Sequence, residues 1–139
     1  PLDFVPTSDD CSTSEGAAKL LEQEYNIDFA SCVGSLIYLG MTRCDIVYAI
    51  NKLAKFTRLP GRVHFDVLLH LLRYLQDNAL LGIRFYSDLF RAPLMKMLES
   101  QKIQQHHAFF GFSDSSWNDD ADTGRSTGCF ILTYMGGIV

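Results

Sequence analysis

The run Phe29-Ala30-Ser31-Cys32-Val33-Gly34-Ser35-Leu36-Ile37-Tyr38-Leu39-Gly40 decides how the rest of the chain is read. Phe29, Val33, Leu36, Ile37 and Gly40 recur at the spacing of one helix face, and Asn26 or Asp28 supplies the N-cap. Working outward, Ile46, Val47, Ile50, Leu53, Ala54 and Phe56 gather on one side of a second helical pattern. Its polar side holds Asn51, Lys52 and Lys55. Leu59-Pro60-Gly61 ends it, because proline has no amide proton to donate and its ring clashes with the preceding turn. A third helix is predicted from there to about Asp77, with Val67, Leu68, Leu71, Leu72 and Leu75 inward and Arg62, Asp66 and Arg73 outward. Three amphipathic helices with short connections predict an antiparallel helical layer. Their apolar stripes are core positions, not a cofactor site.

After Asn78 the period becomes that of strands. Leu80–Tyr86, Phe109–Ser113 and Thr127–Tyr134 are apolar and β-rich, and Gly136-Gly137 supplies a hairpin turn after the last of them. The domain reading follows from these patterns. Residues 1–27, with Thr7-Ser8-Asp9-Asp10 and Ser12-Thr13-Ser14, form a linker-like acidic segment with a helical turn over Gly16–Tyr25. Residues 28–87 are a helical part ending in a strand. Residues 88–108 are a tether with a short helix at Pro93, Leu94, Met95, Met97 and Leu98. Residues 109–139 open a sheet domain. The expected fold class is α+β, a layer of three helices followed by a partial antiparallel sheet.

Composition sets the outer limits. The 139 residues are 47% hydrophobic and 20% charged, with a formal net charge of −4. That suffices for one ordinary domain, burying roughly two-thirds of its unfolded surface, and it is too apolar for a disordered acidic tail. No apolar run reaches bilayer length and no signal peptide is recognisable, so no membrane partner is expected. Cys11, Cys32, Cys44 and Cys129 show neither pairing nor metal spacing, and they predict reduced thiols in an intracellular protein. The chain opens at Pro1 without a methionine and stops two residues beyond Gly137, so it is expected to be part of something longer.

Charge is unevenly spread. Residues 1–40 carry a net −6, residues 41–75 a net +4 and residues 106–139 a net −3. A basic middle between acidic flanks fits a nucleic-acid-facing surface next to a metal site, and it equally fits solvated helix faces and an acidic turn.

The sharpest chemical signal is Phe110-Gly111-Phe112-Ser113-Asp114-Ser115-Ser116-Trp117. Strand alternation puts Phe110, Phe112 and Asp114 on one face, so the aromatics anchor the strand that delivers the carboxylate. Such a carboxylate suits a divalent cation, which takes hard oxygen donors. The alternative is a turn cap at Asp114. Asp119, Asp120 and Asp122 lack the ligand order of a calcium loop and read as turn residues. His106 and His107 are adjacent and would face opposite ways in a strand, while His64 and His70 fall on different faces of the third helix. Zinc sites, hydrolase triads and phosphate loops find no support. Arg125 is placed either to reach a phosphate or to pair with the neighbouring aspartates.

Several blocks together resemble the copia-type retrotransposon polyproteins. They are Ser35-Leu36-Ile37-Tyr38-Leu39, Met41-Thr42-Arg43-Cys44-Asp45-Ile46-Val47-Tyr48-Ala49, His64-Phe65, Leu72-Arg73-Tyr74-Leu75 and Gly82-Ile83-Arg84-Phe85-Tyr86-Ser87. The later runs Gly111 to Trp117 and Asp122-Thr123-Gly124-Arg125-Ser126-Thr127-Gly128 continue the series in the family's order. Cys44 stands where that family commonly has proline. The resemblance covers about residues 30–139 and implies the helical part beyond the polymerase palm, then the opening strands of ribonuclease H. It implies that Asp114 is the first metal-binding carboxylate of the nuclease, whose chemistry uses two Mg²⁺ ions. It also implies that Arg43, Lys52, Lys55, Arg58 and Arg62 lie along the backbone of a primer–template or RNA–DNA hybrid. The remaining partner is the rest of the polyprotein, and the implied location is a cytoplasmic virus-like particle or the nucleus. One carboxylate cannot hold two metals, so the chain alone is expected to be inactive. Two rival readings stand beside this one, a non-enzymatic helical interaction module and a decayed transposon relic.

Overall fold

The computed structural model describes residues 6–86, 96, 100, 109–118, 120, 122–135 and 137–139. The chain divides into two compact units, Pro1–Leu81 and Gly82–Val139.

The first unit is helical, with α1 over Glu15–Tyr25, α2 over Phe29–Gly40, α3 over Val47–Ala54 and α4 over Arg62–Asp77. Single 3₁₀ turns cover Ser8–Asp10 and Cys44–Ile46. The expected layer of three helices therefore becomes four, because the acidic N-terminal segment carries a full helix. Ser14 caps α1 by accepting the Ala17 amide, and Asn26 closes it in the left-handed conformation at φ 53, a position that asparagine tolerates better than most residues. Asp28 caps α2 by accepting the Ser31 amide at 2.8 Å.

The core joins Phe29, Val33 and Leu36 of α2, Ile46, Ile50 and Leu53 at and within α3, and Phe65, Leu68 and Leu71 of α4. Leu21 and Tyr25 of α1 pack against its edge. Phe65 sits at the junction, stacked on Tyr25 at 4.7 Å between ring centres and meeting Phe29 edge-on at 5.1 Å. The residues before α1 are also tied down. Ser12 donates its amide to the Leu59 carbonyl and its hydroxyl to the Pro60 carbonyl. A Cβ at Gly61 would collide with the Asp10 carbonyl, so glycine is needed there for close backbone approach. His64 then closes the turn, its Nδ1 accepting the Gly61 amide at 3.0 Å.

The second unit is an antiparallel meander of β1 (Phe109–Ser115), β2 (Gly128–Tyr134) and β3 (Gly137–Ile138). Its register pairs Phe110 with Thr133, Phe112 with Ile131 and Asp114 with Cys129. These residues share one sheet face by strand alternation, as the sequence pattern anticipates. Residues 81–86 form no ladder of their own, contrary to the strand expected over Leu80–Tyr86. Residues 84–86 lie against Met135 and Gly137 instead, where Tyr86 donates its amide to the Met135 carbonyl and Phe85 packs on Gly137. The short helix expected around Pro93–Leu98 and the pair His106-His107 lie outside the described residues.

Candidate functional site

Asp114 emerges near the outer end of β1, exposed, with its Oδ1 accepting the amide of its neighbour Ser115 at 2.9 Å. Behind it on the same face Phe110 is buried, while Phe112 is exposed. The strand thus presents a carboxylate on an aromatic anchor.

The loop between β1 and β2 is organised by turn chemistry. Asp120 accepts the amides of Asp122 and Thr123 through Oδ1, and its backbone carbonyl accepts the Gly124 amide. Gly124 takes φ 64. Asp120 shapes the loop, as turn residues do. Among the described residues, no group of three or more His, Cys, Asp or Glu could hold a metal ion. Asp114 by itself, among the described residues, does not make up a two-metal centre, which takes several converging carboxylates.

The five basic candidates separate into two kinds. Arg43 is only 6% exposed. Its Nε and Nη2 grip both carboxylate oxygens of Asp45 at 2.9 and 2.8 Å, and its Nη1 donates to the Asn78 carbonyl at 3.0 Å. The Tyr74 hydroxyl completes the group by donating to Asp45 at 2.9 Å. An arginine so enclosed ties the α2–α3 connection to the end of α4 and is not presented to a phosphate. The Arg43 guanidinium, aided by the Tyr74 hydroxyl, holds the Asp45 carboxyl down to about 2. Cys44 opens the 3₁₀ turn between them.

Lys52, Lys55, Arg58 and Arg62 remain on the surface of α3, the α3–α4 turn and the start of α4. Lys52 lies 5.5 Å from the centre of the Tyr48 ring, a cation–π distance. Arg58 approaches Glu15 at 3.7 Å. Arg62 makes a two-bond fork with Glu24, 2.7 Å on each side, and lies over the Tyr25 ring at 5.8 Å. α2 adds a second exposed surface that carries no charge, with Ile37, Tyr38 and Met41 open to solvent, Tyr38 at 78%. Sequence periodicity assigned Ile37 to the core face, but it is 53% exposed. Among the described residues, no helix is long and apolar enough to cross a membrane.

These features define a class: a helical unit with a basic edge, and a separate antiparallel meander bearing one strand-held carboxylate. The chain is 31% identical over 115 residues to a protein named secreted RxLR effector protein 161 from Plasmopara viticola, covering 82% of this chain and 70% of that protein. It is 34% identical over 109 residues to the retrovirus-related Pol polyprotein from transposon RE1 of Arabidopsis thaliana. A further match, 26% identical over 114 residues, is the Pol polyprotein from transposon TNT 1-94 of Nicotiana tabacum. Those alignments cover 78% and 81% of this chain but only 6% and 7% of the polyproteins. These matches support a retrotransposon polyprotein fragment: the chain corresponds to a short segment of the Pol polyproteins, and the effector-named relative matches over an overlapping stretch of it. No protein-family model matches the chain, and no solved structure matches it.

Proposed function

We propose that the chain is the part of a copia-type polyprotein that joins the end of the reverse transcriptase region to the opening of ribonuclease H. Its work there is to hold an RNA–DNA hybrid or primer–template against the rest of the polyprotein inside the cell, in a virus-like particle or the nucleus. Lys52, Lys55, Arg58 and Arg62 make sequence-independent contacts to phosphates, which fix register without reading bases. Asp114 is one carboxylate of a Mg²⁺ site completed by other acidic groups of the polyprotein. A Mg²⁺ ion held there would supply an activated water and charge neutralisation at the cleaved phosphate.

The observation that carries this reading is the β1–β2–β3 antiparallel meander with Asp114 at the exposed end of its aromatic-anchored first strand. The experiment is a salt titration of hybrid binding. Phosphate contacts predict that log K falls linearly with log salt. Binding indifferent to ionic strength would count against it.

A second reading, a helical interaction module without catalysis, draws on two observations. The effector-named relative is covered over 70% of its length, and the exposed face of α2 is uncharged and apolar. Undetectable hybrid binding at low salt favours this reading.

A further inference from the structure

The sequence sets an acidic N-terminal segment before a basic stretch, and the folded helical unit brings the two into register. α1 is held on α4 by the Tyr25 ring stacked on Phe65, and by the Tyr25 hydroxyl donating to Asp66 at 3.0 Å. That anchorage places two carboxylates of α1 against two surface arginines. Glu24 meets Arg62 end-on with both Nη atoms engaged at 2.7 Å. Glu15 stands 3.7 Å from Arg58.

The forked donor pair that Arg62 offers to Glu24 is the same pair that an arginine offers to two phosphate oxygens. A carboxylate in that fork is a steric and electrostatic substitute for a phosphate. The Arg62 guanidinium also holds the Glu24 carboxyl below its ordinary range, so the pair stays ionised at neutral pH.

We propose that α1 is an electrostatic mask: Glu24 and Glu15 occupy Arg62 and Arg58, and a polyanionic backbone must displace these carboxylates to reach the guanidinium groups. This rests on the phosphate-contact reading above and adds its regulation. Displacement needs only side-chain rotation, because Tyr25 keeps the helix itself docked. Both members of the Glu24–Arg62 pair are more than half exposed, and exposed pairs are weak enough to be exchanged.

The test uses the full 139-residue chain, a fluorescent RNA–DNA hybrid and a salt series. Glu24→Gln is expected to tighten binding about 3- to 5-fold and to steepen the salt dependence by about one released ion. Asp77→Asn, which removes the same charge from the far end of α4, is the control for net charge. Adding Arg62→Gln to Glu24→Gln should erase the gain, with circular dichroism confirming that every variant keeps its helix content. Binding that Glu24→Gln strengthens no more than Asp77→Asn overturns the mask alone. Absence of salt-dependent binding by every chain, Glu24→Gln included, overturns the phosphate reading and the mask with it.

Discussion

Arg43 and Asp45, two residues apart, close a two-bond fork on themselves, 2.9 Å from Nε to Oδ1 and 2.8 Å from Nη2 to Oδ2. The fork turns the chain at the entrance to α3, and Tyr74 and the Asn78 carbonyl fasten it to α4. Of the residues between Gly40 and Val47, these two therefore do structural work that their charge disguises. A buried guanidinium left without its carboxylate has no solvent to replace it.

That fork predicts an acid-labile helical unit. The Asp45 carboxyl is depressed from its ordinary value near 3.8 to about 2 by Arg43 and Tyr74. Its contribution is therefore fully present above about pH 4 and disappears as pH falls through 2. After allowance for partial exposure it amounts to about 1–2 kcal/mol. Denaturant midpoints recorded from pH 5 to pH 2 should fall steeply at the acid end. Asp45→Asn should be less stable at neutral pH by about 2 kcal/mol and should flatten that limb. An unchanged limb in the variant would place the lability elsewhere.

Two glycines should respond to alanine in opposite ways. Around Gly34, in the middle of α2, a Cβ would meet nothing within 4 Å. Gly34→Ala should stabilise the helix by about 0.5–1 kcal/mol, the usual difference between these residues in a helix interior. Gly61→Ala would drive a methyl group into the Asp10 carbonyl and must push the segment before α1 off the Pro60 turn. Thermal melts of both variants are the measurement, and a stabilised Gly61→Ala would refute the close approach.

Phe65 is the residue on which α1, α2 and α4 converge, fully buried between Tyr25 and Phe29. Phe65→Ala should cost about 3–5 kcal/mol through lost burial and the cavity left behind. Tyr25→Phe keeps the stacked ring and loses only the hydroxyl bond to Asp66, about 0.5–1 kcal/mol. Urea unfolding separates the two. Similar losses would mean that the hydroxyl, not the ring, holds α1 in place.

The sequence pattern was readable where one element carries its own signal. α2 announces itself through Phe29, Val33 and Leu36 with Asp28 as cap, and α4 begins directly after Pro60 and Gly61, although α3 ends earlier than the Pro60 signal suggested, at Ala54. The pairing face of β1 follows from the alternation of Phe110, Phe112 and Asp114. Features made by distant partners were not readable. α1 has few apolar residues, and Ala18, Leu21 and Tyr25 count as a buried face only once α4 is beside them. Phe65 and His64 are covered by Tyr25 and Phe56, residues 40 and 8 positions away in the chain. The placement of Arg43 depends on Asn78 and Tyr74, so charge alone put it on the surface. Leu80–Tyr86 has strand alternation, but a strand also needs a partner, and among the described residues Tyr86 alone reaches one across the chain, at Met135.

Asp114 is a substitution site where fold and chemistry should come apart. Its side chain is exposed and, among the described residues, bonds the adjacent Ser115 amide, so Asp114→Asn should leave the sheet's stability within about 0.5 kcal/mol. On the proposed assignment of Asp114 as a Mg²⁺ ligand, the same substitution in the polyprotein should abolish Mg²⁺-dependent cleavage of the RNA strand of a hybrid, since a lost metal ligand leaves charge unneutralised at the reacting phosphate. The 139-residue chain by itself should show no such cleavage, because a single carboxylate cannot clamp two ions. A gel assay with a labelled hybrid, Mg²⁺ and both protein lengths decides between the cases. Cleavage by the short chain that Asp114→Asn removes would mean that further acidic groups of this chain converge on Asp114 when the metal binds.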